Sequence, residues 1–160
     1  IQAALGRVAA IGRDPSGVLG ALGVAVVRNT QRRMERGVDP RGVLWWSYAP
    51  LNPLYRSTKE GPSILIGRGG FRDGLAASIV SQVRGNTLVW GSKKEYARIH
   101  QLGGWIFPRT APALTFSMGG LRFHVQSVFI PERPYLGFTS EDRDALLGEL
   151  EEYLARAMRG

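Results

Sequence analysis

The sequence predicts an α+β fold in a single domain, an antiparallel sheet of β-hairpins packed with N-terminal and C-terminal helices. Three observations carry that expectation. Apolar residues recur at helical spacing near both ends, while the middle of the chain alternates apolar and polar residues around short glycine turns. Twenty-one glycines and nine prolines in 160 residues interrupt the chain too often for a helical bundle. Hydrophobic residues make up 44% and charged residues 21%, ordinary for a globular chain long enough to bury one core.

Residues 1–36 form the helical N-terminal region. IQAALGRVAAIG reads as a short alanine-rich helix, weakened by Gly6 and stopped at Gly12. Asp14-Pro15 then offers an N-cap carboxylate and a proline for the first turn of a second helix. Val18, Leu19, Leu22, Ala25 and Val26 are its apolar stripe. Arg28, Arg32, Arg33 and Arg36 crowd its final turns, and Gly37 is placed to cap it. Residues 37–74 are loop-rich, since Pro40, Pro50, Pro53 and Pro62 cannot lie in helix interiors. Within them, Leu51 to Lys59 has room for one or two helical turns. Trp45 and Trp46 read as core or interface anchors, and Ile64-Leu65-Ile66 as a short buried run.

Residues 75–138 hold the sheet. Ser78 to Arg84 and Thr87 to Gly91 are strands joined by a Gly85-Asn86 turn. In LTFSMGGLRFHV, Leu114, Phe116 and Met118 alternate, Gly119-Gly120 turns, and Leu121, Phe123 and Val125 alternate back, so one face is expected to be buried. His124 then points to the opposite face. Between the hairpins, residues 96–102 form a short helix with Tyr96 and His100 on one side, stopped by Gly103-Gly104. Residues 139–158 are the C-terminal helix: Thr139 with Asp142 resembles a capping box, and Leu146, Leu147, Leu150, Leu154 and Met158 make the apolar stripe.

The chemistry-bearing residues are few. His100 and His124 are the only imidazoles, and there is no cysteine, which removes disulfides and thiolate metal sites. A site combining both histidines with Asp73, Glu95 or Glu132 lacks any recognised ligand spacing, so neither a metal nor a catalytic residue is expected. GVLGALG at 17–23 and GRGGFRDG at 67–74 lack the residues of phosphate loops and read as packing and turn glycines. No cofactor is expected.

Charge is distributed unevenly. The net charge is +8, yet residues 139–160 hold three basic and six acidic side chains, so a basic body carries an acidic terminal helix. That suits nucleic acid, acidic protein surfaces or head-to-tail contact between copies. Arg56, Lys59, Arg68, Arg72, Arg84, Lys93, Lys94 and Arg98, with aromatics among them, make a basic nucleic-acid-binding module the alternative reading, although no DNA- or RNA-binding signature is present. The longest apolar run, residues 18–27, is too short to span a bilayer, and no membrane partner is expected.

Two motifs go further than physics. Tyr96-Ala97 leading into Ile99-His100-Gln101-Leu102-Gly103-Gly104, followed by Ile130-Pro131 and Arg133-Pro134-Tyr135-Leu136-Gly137, resembles the phage virion morphogenesis family, the tail-completion proteins of the Mu-like G and S types. Gly37-Val38-Asp39-Pro40-Arg41-Gly42 with Trp45 is similar to a further family segment, and ILIGRGGFRDGLAASI matches another less closely. The resemblance covers roughly residues 37–158. It implies a structural virion protein without catalytic residues, assembled in the host cytoplasm and placed at the neck or tail top, as tail terminator or head–tail joining component. It further implies a homo-oligomeric ring (six-fold first, twelve-fold second), contact with other neck and tail proteins, and DNA passing through the lumen without sequence-specific binding.

One stretch remains after the motifs are assigned. Trp105, Ile106 and Phe107 are consecutive large apolar residues in a loop, GGWIFPRTAPA, with no periodicity to give them a single buried face. They are expected to reach a neighbouring subunit, with Arg109 at the rim.

Overall fold

Helix α1, Gln2–Arg13, gives way at Asp14, whose carboxylate accepts a hydrogen bond from the Ser16 amide at 3.1 Å and starts helix α2, Ser16–Arg36. In this computed structural model, residues 1–59, 61, 63–66 and 74–160 are described. The remaining elements are helices α3 (Trp45–Tyr48), α4 (Pro53–Thr58) and α5 (Gly74–Ala77), strands β1 (Ile79–Arg84) and β2 (Thr87–Ser92), helix α6 (Ala97–Leu102), strands β3 (Gly104–Ile106), β4 (Leu114–Met118), β5 (Leu121–Val125) and β6 (Val128–Ile130), and helix α7 (Ser140–Arg159). The fold is α+β, with antiparallel hairpins and helices at both ends. It divides into two compact units, residues 1–32, 79–92 and 138–160 in the first and residues 33–78 and 93–137 in the second. No single helix among the described residues is long and apolar enough to cross a membrane; α1 and α2 pass that test only as a pair bent by 71°.

In the first unit, glycines set how closely α2 packs. A Cβ at Gly17 would lie 2.5 Å from the Tyr153 hydroxyl of α7, and one at Gly23 would lie 2.6 Å from Ser81 Oγ of β1. Two of the GVLGALG glycines are therefore close-approach positions. Val18 and Val26 are buried on the same helix. Arg7 of α1 donates to the carbonyls of Ala157 and Met158, neutralising the carbonyl end of α7. The other end of α7 carries the expected capping box: the Asp142 amide donates to Thr139 Oγ1 at 3.1 Å, and the Thr139 amide to Asp142 Oδ2 at 3.0 Å.

In the second unit, α2 stops in a Schellman motif at Gly37, whose amide donates to the Met34 carbonyl while Val38 donates to Arg33. Trp45, Met34, Ile64, Leu75 and Tyr135 are the buried large side chains. The loop-rich stretch contains more helix than proline content suggests, because α3 and α4 fit between the prolines and Pro53 occupies the first turn of α4.

The hairpins form where the glycine turns place them, but they do not join into one sheet. Among the described residues the ladders are β1 with β2, β3 with β6, and β4 with β5, all antiparallel. Pro108 and Pro112 lie between β3 and β4, and Pro131 follows β6; proline lacks the N–H that would extend a ladder there. The β3–β6 pair also corrects the reading of residues 103–113 as a loop. Residues 104–106 are a strand that the local pattern does not reveal, since its partner lies more than twenty residues away.

Candidate functional site

The two halves of the motif pair bind each other. Helix α6 ends at Gly103, whose φ of +65° and ψ of −176° lie in a region essentially confined to glycine. A Cβ there would stand 2.7 Å from the Glu132 amide nitrogen and 3.1 Å from the Ile130 carbonyl. That close approach sets the next residue, Gly104, opposite Ile130 in the β3–β6 ladder. Just before the turn, the His100 carbonyl accepts the Arg133 amide at 2.7 Å. The Gln101 side chain works like a short strand: its Oε1 accepts the amides of Tyr135 and Leu136, both at 3.0 Å, and its Nε2 donates to the Leu136 carbonyl at 3.0 Å. Tyr135, 2% exposed, reaches the Ala97 carbonyl through its hydroxyl.

The segment resembling G-x-D-P-x-G-x-x-W closes on the same strip of chain. Trp45 Nε1 donates to the Pro134 carbonyl at 3.1 Å, Arg33 donates to the Gly137 carbonyl at 3.0 Å, and Gly137 leaves room for the Pro40 ring. Arg133, 6% exposed, donates from Nε to the Ala49 carbonyl and from Nη2 to the Pro50 carbonyl, both at 2.8 Å. Its guanidinium thus satisfies the carbonyls that follow α3. Pro131 and Pro134 hold the backbone on either side of it extended. Asp39, fully buried, organises its own loop by accepting from the amides of Arg41 and Val43, the Arg41 guanidinium and the Tyr48 hydroxyl.

Electrostatics agree with a structural role. Burial lowers the His100 pKa, and the Arg133 charge lowers it further; Nδ1 is buried without a hydrogen-bond partner among the described residues. Tyr96 packs edge-on against the imidazole at 5.9 Å. Burial also lowers the Arg133 pKa. Burial works to raise the Asp39 carboxyl, but its hydrogen bonds from Val43 and Arg41, with the Arg41 charge, win and hold it below the usual carboxylate range. His124 is exposed and bonds Thr115 across the β4–β5 ladder at 3.0 Å, so the two histidines serve different elements. Among the described residues, no group of three or more His, Asp or Glu side chains is placed to hold a metal ion. Asp73, Arg68, Arg72 and the GRGGFRD stretch fall outside the described residues, as does Pro62.

Beyond the clasp lies an aromatic edge. Strand β3 sorts the apolar triplet: Ile106 turns toward a cavity of about 1000 Å³ in the second unit, whose lining includes Ile64, Leu75, Phe116 and Met118. Trp105 and Phe107 are 60% and 62% exposed and stack at 6.5 Å. Phe129, opposite Trp105 in the ladder, packs on it at 5.3 Å and is itself 54% exposed. Arg109 is exposed beyond them. Sequence reasoning passed over Phe129, and it named Asp39 only within a motif. Phe129 has no local signal, because it joins the cluster only through the β3–β6 register. The Asp-Pro turn pointed to Asp39 but not to its burial.

The clasp binds one segment of the chain to another and, among the described residues, offers no nucleophile with a base beside it. Against known sequences, the profile of the phage virion morphogenesis family matches residues 1–155, so the similarity extends over the N-terminal helices as well as the motifs. No curated protein and no solved structure gives a significant match.

Proposed function

Because the chain belongs to the phage virion morphogenesis family, and is thereby a structural, non-enzymatic protein associated with the phage tail, we propose that it completes the tail at its upper end. In this reading it is a tail terminator or head–tail joining component in the neck of the virion, assembled in the host cytoplasm as a homo-oligomeric ring. Six-fold symmetry is the first expectation and twelve-fold the second. Other neck and tail proteins are its neighbours, and DNA passes through the lumen without sequence-specific contact.

The observation that carries the oligomer is the aromatic edge. Trp105, Phe107 and Phe129 form a contiguous cluster, each more than half exposed. Exposed aromatic clusters of this kind mark protein contacts, and tryptophan is a preferred anchor. A neighbouring subunit covers the edge, with Arg109 at its rim.

The test is the native mass of purified protein, alone and on tail tubes. Trp105→Ala with Phe107→Ala is expected to leave a folded monomer, melting within a few degrees of the parent, that no longer assembles. Rings of unchanged mass from that variant would show that the edge is not the interface. Salt-dependent DNA affinity in a protein that stays monomeric would favour the nucleic-acid-binding alternative instead.

A further inference from the structure

Two exposed helix faces of the first unit carry features that nothing among the described residues explains. On α2, Gly20, Val24, Arg28 and Arg32 recur every four residues and share one face; all four are exposed, Val24 at 57%. Arg28 and Arg32 make no hydrogen bond or ion pair among the described residues. Like charges one turn apart oppose helix formation, and the helix dipole rewards cations only in the last turn, which Arg33 and Arg36 occupy. On α7, Asp144, Leu147, Gly148 and Glu151 share an exposed face, Leu147 at 51%. The dipole accounts for Glu141 and Asp142 in the first turn of α7 but not for Glu151. Arg156 engages Glu149 and Glu152, whereas Glu151 has no partner among the described residues. The Asp144 contact is with its neighbour Arg143, both exposed, and such pairs contribute little. A Cβ at Gly20 or Gly148 would meet nothing within 4 Å, so internal packing does not require glycine where alanine would make a better helix.

We infer that the α2 face of one copy docks on the α7 face of the next. Val24 meets Leu147 at the centre, Arg28 and Arg32 meet the carboxylates of Asp144 and Glu151, and the two glycines let the backbones approach. Charge complementarity selects a second copy as the occupant. A polyanion such as DNA would satisfy the arginines, but it would set Val24 against phosphate and leave the α7 face uncovered. Two different faces meet, so the contact is head-to-tail, the type that generates rings when the rotation closes. The inference rests on the ring reading and gives that ring a second, charged seam.

Charge exchange tests it. In native mass measurements at low salt, Arg28→Glu with Arg32→Glu is expected to abolish assembly, as is Asp144→Arg with Glu151→Arg. Mixing the two variants in equal amounts restores oligomers with an even number of subunits, and combining all four substitutions in one chain restores oligomers of the parental mass. All the positions are exposed, so far-ultraviolet circular dichroism should show each variant folded; should a reversal unfold, the matching glutamine substitutions remove the same charges and give the same loss. Oligomers of parental mass from either reversed variant alone, or no rescue on mixing, overturn the inference. Loss of DNA affinity without change of mass assigns the arginines to nucleic acid and overturns it as well. A parent protein that is monomeric under every condition instead removes the ring reading itself.

Discussion

Gly103 separates two regions of opposite character. On its N-terminal side, α6 and residues 131–137 form a clasp in which the amide of Gln101, the guanidinium of Arg133 and the indole of Trp45 are all spent on backbone groups of the same chain. On its C-terminal side, Trp105 stacks on Phe107 and packs against Phe129, and all three rings leave most of their surface to solvent. The difference teaches which signals point inward. A motif rich in hydrogen-bonding side chains looks functional, yet here those side chains satisfy carbonyls and amides that the prolines and the Gly103 turn would otherwise leave without partners. The unpatterned apolar triplet, by contrast, leaves Trp105 and Phe107, on either side of Ile106, more than half exposed.

If that contrast is right, the clasp answers to stability and the aromatic edge to assembly. Gly103→Ala should give the largest loss. Its backbone region costs a non-glycine residue about 1–3 kcal/mol, and the new Cβ must also push back the Glu132 amide that lies 2.7 Å away. We expect a total of about 4 kcal/mol, or a melting temperature lower by roughly 8–16 °C for a domain of this size. Gly6→Ala, in a helix with nothing within 4 Å of the new Cβ, is the control and should be neutral or stabilising. Equal melting of the two variants would show that the Gly103 turn relaxes freely and that the clasp is not built on it.

Arg133→Ala comes next. It strips two charged hydrogen bonds from the carbonyls of Ala49 and Pro50 and leaves those carbonyls short of a donor. Hydrogen bonds to charged groups contribute about 1.5–3 kcal/mol each, and the pair here shares one side chain, so about 3 kcal/mol is expected. That corresponds to a fall of roughly 6–12 °C. Lysine restores only part of it, because a single ammonium lacks the fork that spans both carbonyls. An unchanged melting curve for the alanine variant would mean that water replaces the guanidinium, and the distinction between clasp and edge would fail at its centre.

The legible and illegible parts of this molecule divide along the same line. Period-two apolarity around Gly85-Asn86 and Gly119-Gly120 located two hairpins, and the Thr139–Asp142 spacing located the start of α7, because all these signals are local. The β3–β6 pairing was not legible: three-residue strands are too short for a period, and their register is set by the Gly103 turn far from β6. The same non-locality hid Phe129 from the aromatic cluster. For the clasp, the motif residues could be picked out, but not that Gln101 holds Tyr135 and Leu136, since a glutamine side chain has no spacing rule for a partner more than thirty residues on.

The smallest effect separates the two regions by pH. His100 sits half-buried in the clasp, packed edge-on by Tyr96, with Arg133 nearby and Nδ1 without a partner among the described residues. Burial first, and the Arg133 charge second, depress its pKa in the folded protein. The unfolded chain therefore takes up a proton before the folded one does. Stability is full above the unfolded histidine value of about 6.5 and declines as pH falls from there toward the lower folded value. Asp39 acts in a separate window. Its folded pKa is held below the ordinary carboxylate value, so its contribution is present above about pH 4 and is lost only as pH falls through its folded value. Melting temperatures taken between pH 7.5 and pH 5 thus isolate the histidine. The parent should lose stability across that interval, and His100→Gln should flatten the profile there. The Trp105→Ala, Phe107→Ala variant, which touches no titrating group, should keep the parental slope. A glutamine variant that retains the slope would place the titrating group outside the clasp, and a flattened slope in the aromatic variant would show that edge and clasp are one cooperative structure.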